Sequence, residues 1–220
     1  LRQYLVDDYR SRGVNIGLQN IQITGGSQQA LDFIGRIFVN EGDKLLVESP
    51  TYLGALQAWN AYGPEYVTVE TDDDGMQVDK IEAIIKEHDP RFIYVLPNFH
   101  NPMGVSMSIE RRKQLVEISH KYNLPIVEDD PYGKLIFEGE MLPSIAKLDC
   151  QFRKGVDNFE GNVIHTSTFS KILAPGLRIG WAIGPEEVIK KMVQAKQGAD
   201  LQCSTFDQYI AYELVAGDWL

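Results

Sequence analysis

The stretch Ser-Thr-Phe-Ser-Lys-Ile-Leu-Ala-Pro-Gly-Leu-Arg-Ile-Gly-Trp, residues 167–181, sets Lys171 just behind the hydroxyls of Thr168 and Ser170. Arg178 follows, past the bend-forming Pro175-Gly176 pair. Apolar residues enter the stretch (Val163, Ile164) and leave it (Ile179, Trp181, Ile183), which predicts a loop between the end of one strand and the start of the next. Such a loop lies over a sheet edge, where α/β proteins place ligands. A partly desolvated lysine gives up its proton and forms Schiff bases, while hydroxyls and a guanidinium fork are good donors to phosphate. The set suits capture of a phosphorylated aldehyde. Taken singly, Lys171 reads first as a surface lysine and Arg178 as a salt-bridge partner; the company they keep reverses that reading.

Upstream, apolar strands alternate with amphipathic helices. Residues 21–24 read as a strand, Gly25-Gly26 as a turn, and 28–40 as a helix with Leu31, Ile34 and Phe38 in one stripe. The amides of Ser27 and Gln28 then sit at a helix N-terminus, where free N–H groups and the helix dipole attract anions; an ordinary N-cap at Ser27 explains the same residues. Further strands are expected at 44–48, 66–69, 92–96 and 125–128. Helices are expected at 78–87, from Ser108 to 122, at 188–197 and at 206–214, with Phe206, Tyr209, Ile210 and Leu214 on one side of the last. A first helix carries Leu1, Leu5 and Tyr9 in step and stops at Gly13. Arg111, Arg112 and Lys113 are expected to face solvent, 71–75 to form a solvated turn, and 139–161 to be an unpatterned connection. The alternation predicts an α/β domain around a mainly parallel sheet.

Three loops after strands offer side chains. Ser49-Pro50-Thr51-Tyr52 brings out Tyr52, either as a packing aromatic or as a flat face for a ring. Pro97-Asn98-Phe99-His100-Asn101-Pro102-Met103-Gly104 is stiffened by two prolines, which suits presentation of Asn101, with His100 as a loop residue. Glu128-Asp129-Asp130-Pro131-Tyr132 sets adjacent carboxylates after a strand, as a metal or general-acid pair or as a helix cap.

Taken in order, Gly-Ser-Gln-Gln at 26–29, Glu-x-Pro-Thr-Tyr at 48–52, Asn-Pro-x-Gly at 101–104, Asp-x-x-Tyr at 129–132 and the segment around Lys171 resemble one family. It is the fold-type I, pyridoxal-phosphate-dependent aminotransferases of class I and II, in the branch holding the 2-aminoadipate and kynurenine aminotransferases and the MocR regulators. The resemblance implies the large cofactor-binding domain, a mainly parallel mixed sheet sandwiched by helices. It also implies that Lys171 carries pyridoxal 5'-phosphate as a Schiff base. Ser27, Gln28, Thr168, Ser170 and Arg178 would hold the phosphate, Tyr52 would stack on the ring, and Asn101 and Tyr132 would bond the phenolic oxygen. Asp129 would pair with the pyridinium nitrogen, keeping the ring an electron sink, while Lys171 moves the proton of the substrate's α-carbon. Thr168 stands where serine is commoner, and Met103 replaces the usual threonine.

The 220 residues, 44% hydrophobic and 24% charged, suffice for one sizeable core. A formal net charge of −10 argues against nucleic acid or an anionic membrane as partner. Cys150 and Cys203 lie far apart, and His88, His100, His120 and His165 lack metal-ligand spacing, so no metal is expected and a reducing cytoplasm fits. Asp72, Asp73 and Asp74 lack EF-hand spacing. No apolar stretch approaches the roughly 18 residues of a membrane span. The chain opens on Leu1 inside a helical pattern and closes on Asp218-Trp219-Leu220. Residues 1–220 are therefore read as the large catalytic domain, with an N-terminal segment and a small C-terminal domain, the family's source of the substrate-carboxylate arginine, expected outside it. The expected function is transamination between an amino acid and a 2-oxo acid by a homodimer. The alternatives are the cofactor-binding effector half of a MocR-type regulator, a truncated non-catalytic fragment, or a related lyase.

Overall fold

The computed structural model describes residues 1–153 and 159–217. In chain order the elements are α1 (Arg2–Ser11), β1 (Ile21–Thr24), α2 (Ser27–Phe38), β2 (Lys44–Ser49), α3 (Leu53–Trp59), β3 (Glu65–Asp72), β4 (Gly75–Met76) and α4 (Ile81–His88). They continue with β5 (Ile93–Val95), α5 (Ile109–Tyr122), β6 (Ile126–Asp129), α6 (Ile145–Phe152), β7 (Val163–Thr168), β8 (Gly180–Ile183), α7 (Glu186–Ala199) and α8 (Thr205–Ala216). One sheet takes the order β1-β8-β7-β6-β5-β2-β3-β4. β3, β2, β5, β6 and β7 run parallel, while β8 is antiparallel to both of its neighbours and β4 to β3.

The strand sequences explain this arrangement. Strands covered on both faces must be apolar nearly throughout, and every residue of β5, β6 and β8 is buried. Successive side chains still alternate between faces. Ile93, Val95, Ile126 and Val163 join Leu5, Tyr9, Leu115 and Ile145 in one core. Tyr94, Val127 and Ile164 join Leu31, Phe33, Trp59 and Met192 in the other. A tryptophan pins each side. Trp59 Nε1 donates to the Leu31 carbonyl at 2.8 Å, and Trp181 Nε1 donates to the Tyr9 hydroxyl at 2.9 Å. Both rings are fully buried, and burying such a side chain contributes about 1.5–3 kcal/mol.

The chain passes from β3 across β2 to β5, so the direction of winding reverses between β2 and β5. A crevice opens at the carboxyl ends of strands at such a reversal. Tyr52 follows β2, Asn101 follows β5, Asp129 ends β6 and Thr168 ends β7.

Three expectations are corrected. Arg112 does not face solvent: it is fully buried, donating from Nε to the Met107 carbonyl (2.9 Å), from Nη1 to Pro143 (2.9 Å), and from Nη2 to the Pro97 carbonyl and Asn98 Oδ1 (both 2.7 Å). Four acceptors from loop backbone and side chain supply what water would have given it. Residues 139–161 are not wholly unpatterned, since they contain α6, whose N-cap Ser144 accepts from the Lys147 N–H at 3.1 Å. The solvated turn at 71–75 is a short β3–β4 hairpin, with Asp72 paired to Arg111. Asp218, Trp219 and Leu220 lie outside the described residues. Among those described, no helix is long and apolar enough to cross a membrane.

Candidate active site

At the carboxyl ends of β2, β5, β6 and β7, facing the start of α2, lies a cavity of about 270 Å³. All ten residues singled out from the sequence line it: Ser27, Gln28, Tyr52, Asn101, Asp129, Tyr132, Thr168, Ser170, Lys171 and Arg178.

One end is a concentration of donors. The N-cap of α2 is Gly26, at φ 84°, so Ser27 is the first helical residue and not the cap, and no side chain closes this helix end. The first-turn amides and the positive end of the helix dipole therefore face the cavity. The side chain of Gln28 is already used, donating to the Gly54 carbonyl at 2.6 Å, which leaves its backbone amide for the cavity. Arg178 adopts φ 52°, and this left-handed turn brings Nη2 to within 3.1 Å of the Gly25 carbonyl and Nη1 to 3.5 Å from Ser170 Oγ. Thr168 is buried, with Oγ1 2.9 Å from Ser170 Oγ and accepting from the Ser170 N–H at 3.1 Å, so it also braces the loop. Close approach of β8 to α2 depends on Gly180. A Cβ there would lie 2.5 Å from the Gly26 carbonyl carbon and 2.6 Å from the Ser27 nitrogen.

The other end is a single buried carboxylate. Asp129 accepts from Tyr94 Oη at 2.9 Å on Oδ2 and from Thr166 Oγ1 at 2.7 Å on Oδ1. Burial pushes its pKa up to about 6, although both hydrogen bonds favour the ionised form. Each oxygen keeps acceptor capacity for a further donor. The neighbouring Asp130 turns elsewhere, with Oδ1 accepting from Asn98 Nδ2 at 3.0 Å and the Gly133 N–H at 2.8 Å. The adjacent carboxylates thus do not act as a pair.

Between the ends stand Tyr52, Asn101, Tyr132 and Lys171. Burial, then the nearby Asp129 charge, raises the Tyr52 pKa. The Asn101 loop is tied by the His100 N–H to the Val105 carbonyl (2.7 Å), the Met107 N–H to Pro97 (2.9 Å) and the Arg112 guanidinium. His100 is buried in that loop, its Nδ1 accepting from the Met103 N–H at 3.3 Å and its Nε2 3.3 Å from Glu48 Oε2. Lys171 departs from expectation: it lines the cavity but is exposed, not partly desolvated.

Sequence reasoning overlooked Tyr94, Thr166 and Arg112. The first two were recoverable in principle. In the sheet, Thr166 pairs with Asp129, and Tyr94 pairs with Val127, two residues before it. Polar residues inside otherwise apolar strands were the signal. Arg112 offered none, since its helix reads as amphipathic with a basic face.

The donor set fits a phosphorylated pyridine aldehyde. Amides, hydroxyls and a guanidinium face one end, a primary amine lies between, and a carboxylate at the other end is held by two hydroxyls with capacity for a cationic nitrogen.

Comparison with known proteins agrees. Residues 1–218 match the family model for aminotransferases of class I and II. The chain is 45% identical to aromatic-amino-acid aminotransferase 1 of Thermococcus litoralis, over 100% of this chain and 52% of that protein. The crystal structure of LysN, the alpha-aminoadipate aminotransferase of Thermus thermophilus, complexed with N-(5'-phosphopyridoxyl)-L-leucine, superposes with a TM-score of 0.90 at 37% identity. That match covers 98% of this chain and 52% of LysN. The Bacillus subtilis helix-turn-helix transcriptional regulator YisV is 33% identical over 97% of this chain and 42% of the regulator. The chain spans about half the length of the curated relatives it matches.

Proposed function

The chain belongs to the class I and II aminotransferase family, and from that premise we propose that it binds pyridoxal phosphate and carries transamination between an amino acid and a 2-oxo acid. The observation that carries this reading is the convergence of ten residues, from Ser27 to Arg178, on one cavity with phosphate donors at one end and Asp129 at the other.

In this reading the backbone amides of Ser27 and Gln28, the hydroxyls of Thr168 and Ser170, and Arg178 hold the phosphate. Tyr52 supports the ring, and Asn101 and Tyr132 donate to its phenolic oxygen. When bound, pyridoxal phosphate supplies an electrophilic carbon for amines and a ring that accepts the electron pair of the substrate's α-carbon. Asp129 keeps a proton on the ring nitrogen, and its buried position strengthens that interaction. Lys171 Nζ would be the amine that holds the cofactor's aldehyde carbon and, once displaced by the substrate's amine, the base for the proton of the substrate's α-carbon. The exposure of Lys171 leaves room for substrate and for further protein above the cavity.

We propose further that residues 1–220 are the large domain of a longer cytoplasmic protein working as a homodimer. Two observations support the longer chain and its self-association: the relatives are about twice as long, and Phe206, Tyr209 and Leu53 are exposed, Leu53 directly after Tyr52. A second reading, the effector-binding half of a transcriptional regulator, draws on the similarity to YisV.

The test is a visible absorption spectrum of the protein with pyridoxal phosphate, before and after adding a panel of amino acids. A new band that converts with one amino donor and returns with a 2-oxo acid is the expected result, and Lys171→Ala abolishes it while leaving the fold intact. A band that forms but never converts favours the regulator; a folded protein with no band would sink both readings.

A further inference from the structure

A second cavity, of about 150 Å³, lies on the other side of Pro131, the one residue lining both. Its walls come from the end of α1, the segment after β6, the start of α6 and the edge of β7. Arg12, Lys134 and Lys147 line it against a single carboxylate, Asp130. The chain as a whole has 31 acidic and 21 basic residues, so this cavity reverses the overall bias. Asp130 is occupied by Asn98 and Gly133. Arg12 and Lys134 share one partner, Asp8, at 2.6 and 3.1 Å. Lys147 makes no ion pair among the described residues.

His165, only 2% exposed, also lines this cavity. Its Nδ1 lies 2.9 Å from Glu128 Oε2, and the same carboxylate accepts the N–H groups of Ile145 (2.8 Å) and Ala146 (3.0 Å). This anchors Nδ1 and leaves Nε2 without a hydrogen-bond partner among the described residues. Burial works against a charged ring, but Glu128 and Asp130 outweigh it and raise the pKa of His165. In the protonated ring Nε2 is a donor, and His165 is part of the cavity wall.

We propose that this second cavity is a binding site for a small oxyanion, held by Lys147, Arg12 and His165 Nε2. Charge-assisted donors converging from three elements suit a phosphate or carboxylate group. A cavity on the order of 150 Å³ admits a molecule about the size of benzene, which restricts the ligand to inorganic phosphate or a short carboxylate. The site is independent of the transamination reading, because it shares neither its cations nor its histidine with the first cavity.

The test follows the imidazole resonance of His165, identified by its loss in His165→Gln, while the protein is titrated with inorganic phosphate and, separately, with malonate. A saturable shift is expected; phosphate alone as the effective probe identifies an inorganic oxyanion, malonate alone a carboxylate. Lys147→Met keeps the aliphatic stem and weakens binding about tenfold or more, whereas Lys147→Arg retains it. A His165 resonance unmoved by both anions, or moved equally in Lys147→Met, overturns the proposal. So does a shift that disappears in Arg178→Ala, which would place the anion in the first cavity.

Discussion

Tyr94, inside β5, donates its hydroxyl to Oδ2 of Asp129 at the end of β6, 2.9 Å away and out of reach of solvent. With Thr166 on the opposite oxygen, the carboxylate is gripped from both neighbouring strands. Removing the Tyr94 hydroxyl takes away a bond that favours the ionised form. Tyr94→Phe is therefore expected to raise the Asp129 pKa further and to lower stability by about 1–2 kcal/mol. A carboxyl-carbon NMR titration and a denaturant melt measure the two effects, and a fall in the pKa would contradict this account.

Asp129 also makes a pH prediction for the cofactor-free chain. Its pKa is raised from the ordinary 3.8 to about 6, chiefly by burial. Between those values the folded chain holds a proton that the unfolded chain releases. The stability it contributes is therefore full below the lower value and is lost as pH rises through the upper one, by on the order of 3 kcal/mol. Comparing melts of the wild type and Asp129→Asn across this range isolates the term, because the variant lacks the titrating group.

Arg112 holds the loop that presents Asn101, through Pro97 and Asn98. Arg112→Met fills the space but orphans several buried acceptors, with an expected loss of about 2–4 kcal/mol in denaturant unfolding. Arg112→Lys recovers little, since one ammonium cannot reach acceptors spread around a planar fork. Full stability of the methionine variant would show that the guanidinium is dispensable.

Gly180 sets how closely β8 meets the first turn of α2. Alanine there places a methyl 2.5 Å from the Gly26 backbone, so the start of α2 or β8 must shift. Gly180→Ala is expected to cost about 1–3 kcal/mol in stability and to weaken pyridoxal phosphate binding, read by titrating the cofactor against the visible band. Unchanged cofactor affinity would mean that the phosphate end does not depend on this contact.

Much of the fold was legible because its causes are local. The apolar runs of β5, β6 and β8, the stripe of Leu31, Ile34 and Phe38, and the turn at Gly25-Gly26 each follow from a few neighbouring residues. They predict an α/β domain without knowledge of what packs where. The ten cavity residues were legible for a related reason: they lie at strand ends, in the loops beyond them and in the first turn of α2, in short motifs whose residue types and spacing carry the family resemblance.

What only the tertiary structure decided depends on neighbours distant in sequence. That Arg112 points inward follows from carbonyls of residues 97, 107 and 143 meeting at one place. That Asp129 and Asp130 part ways follows from Tyr94 and Thr166 on one side and from Asn98 and Gly133 on the other. The exposure of Lys171 and the meeting of Arg12, Lys147 and His165 are likewise products of packing. The amino-acid sequence by itself determined the elements and the kinds of groups available, since backbone preference and hydrophobic periodicity act over a few residues. Only the packed chain determined each group's solvation and partners, because a side chain's electrostatics depend on everything within several ångströms, whatever its position in the chain.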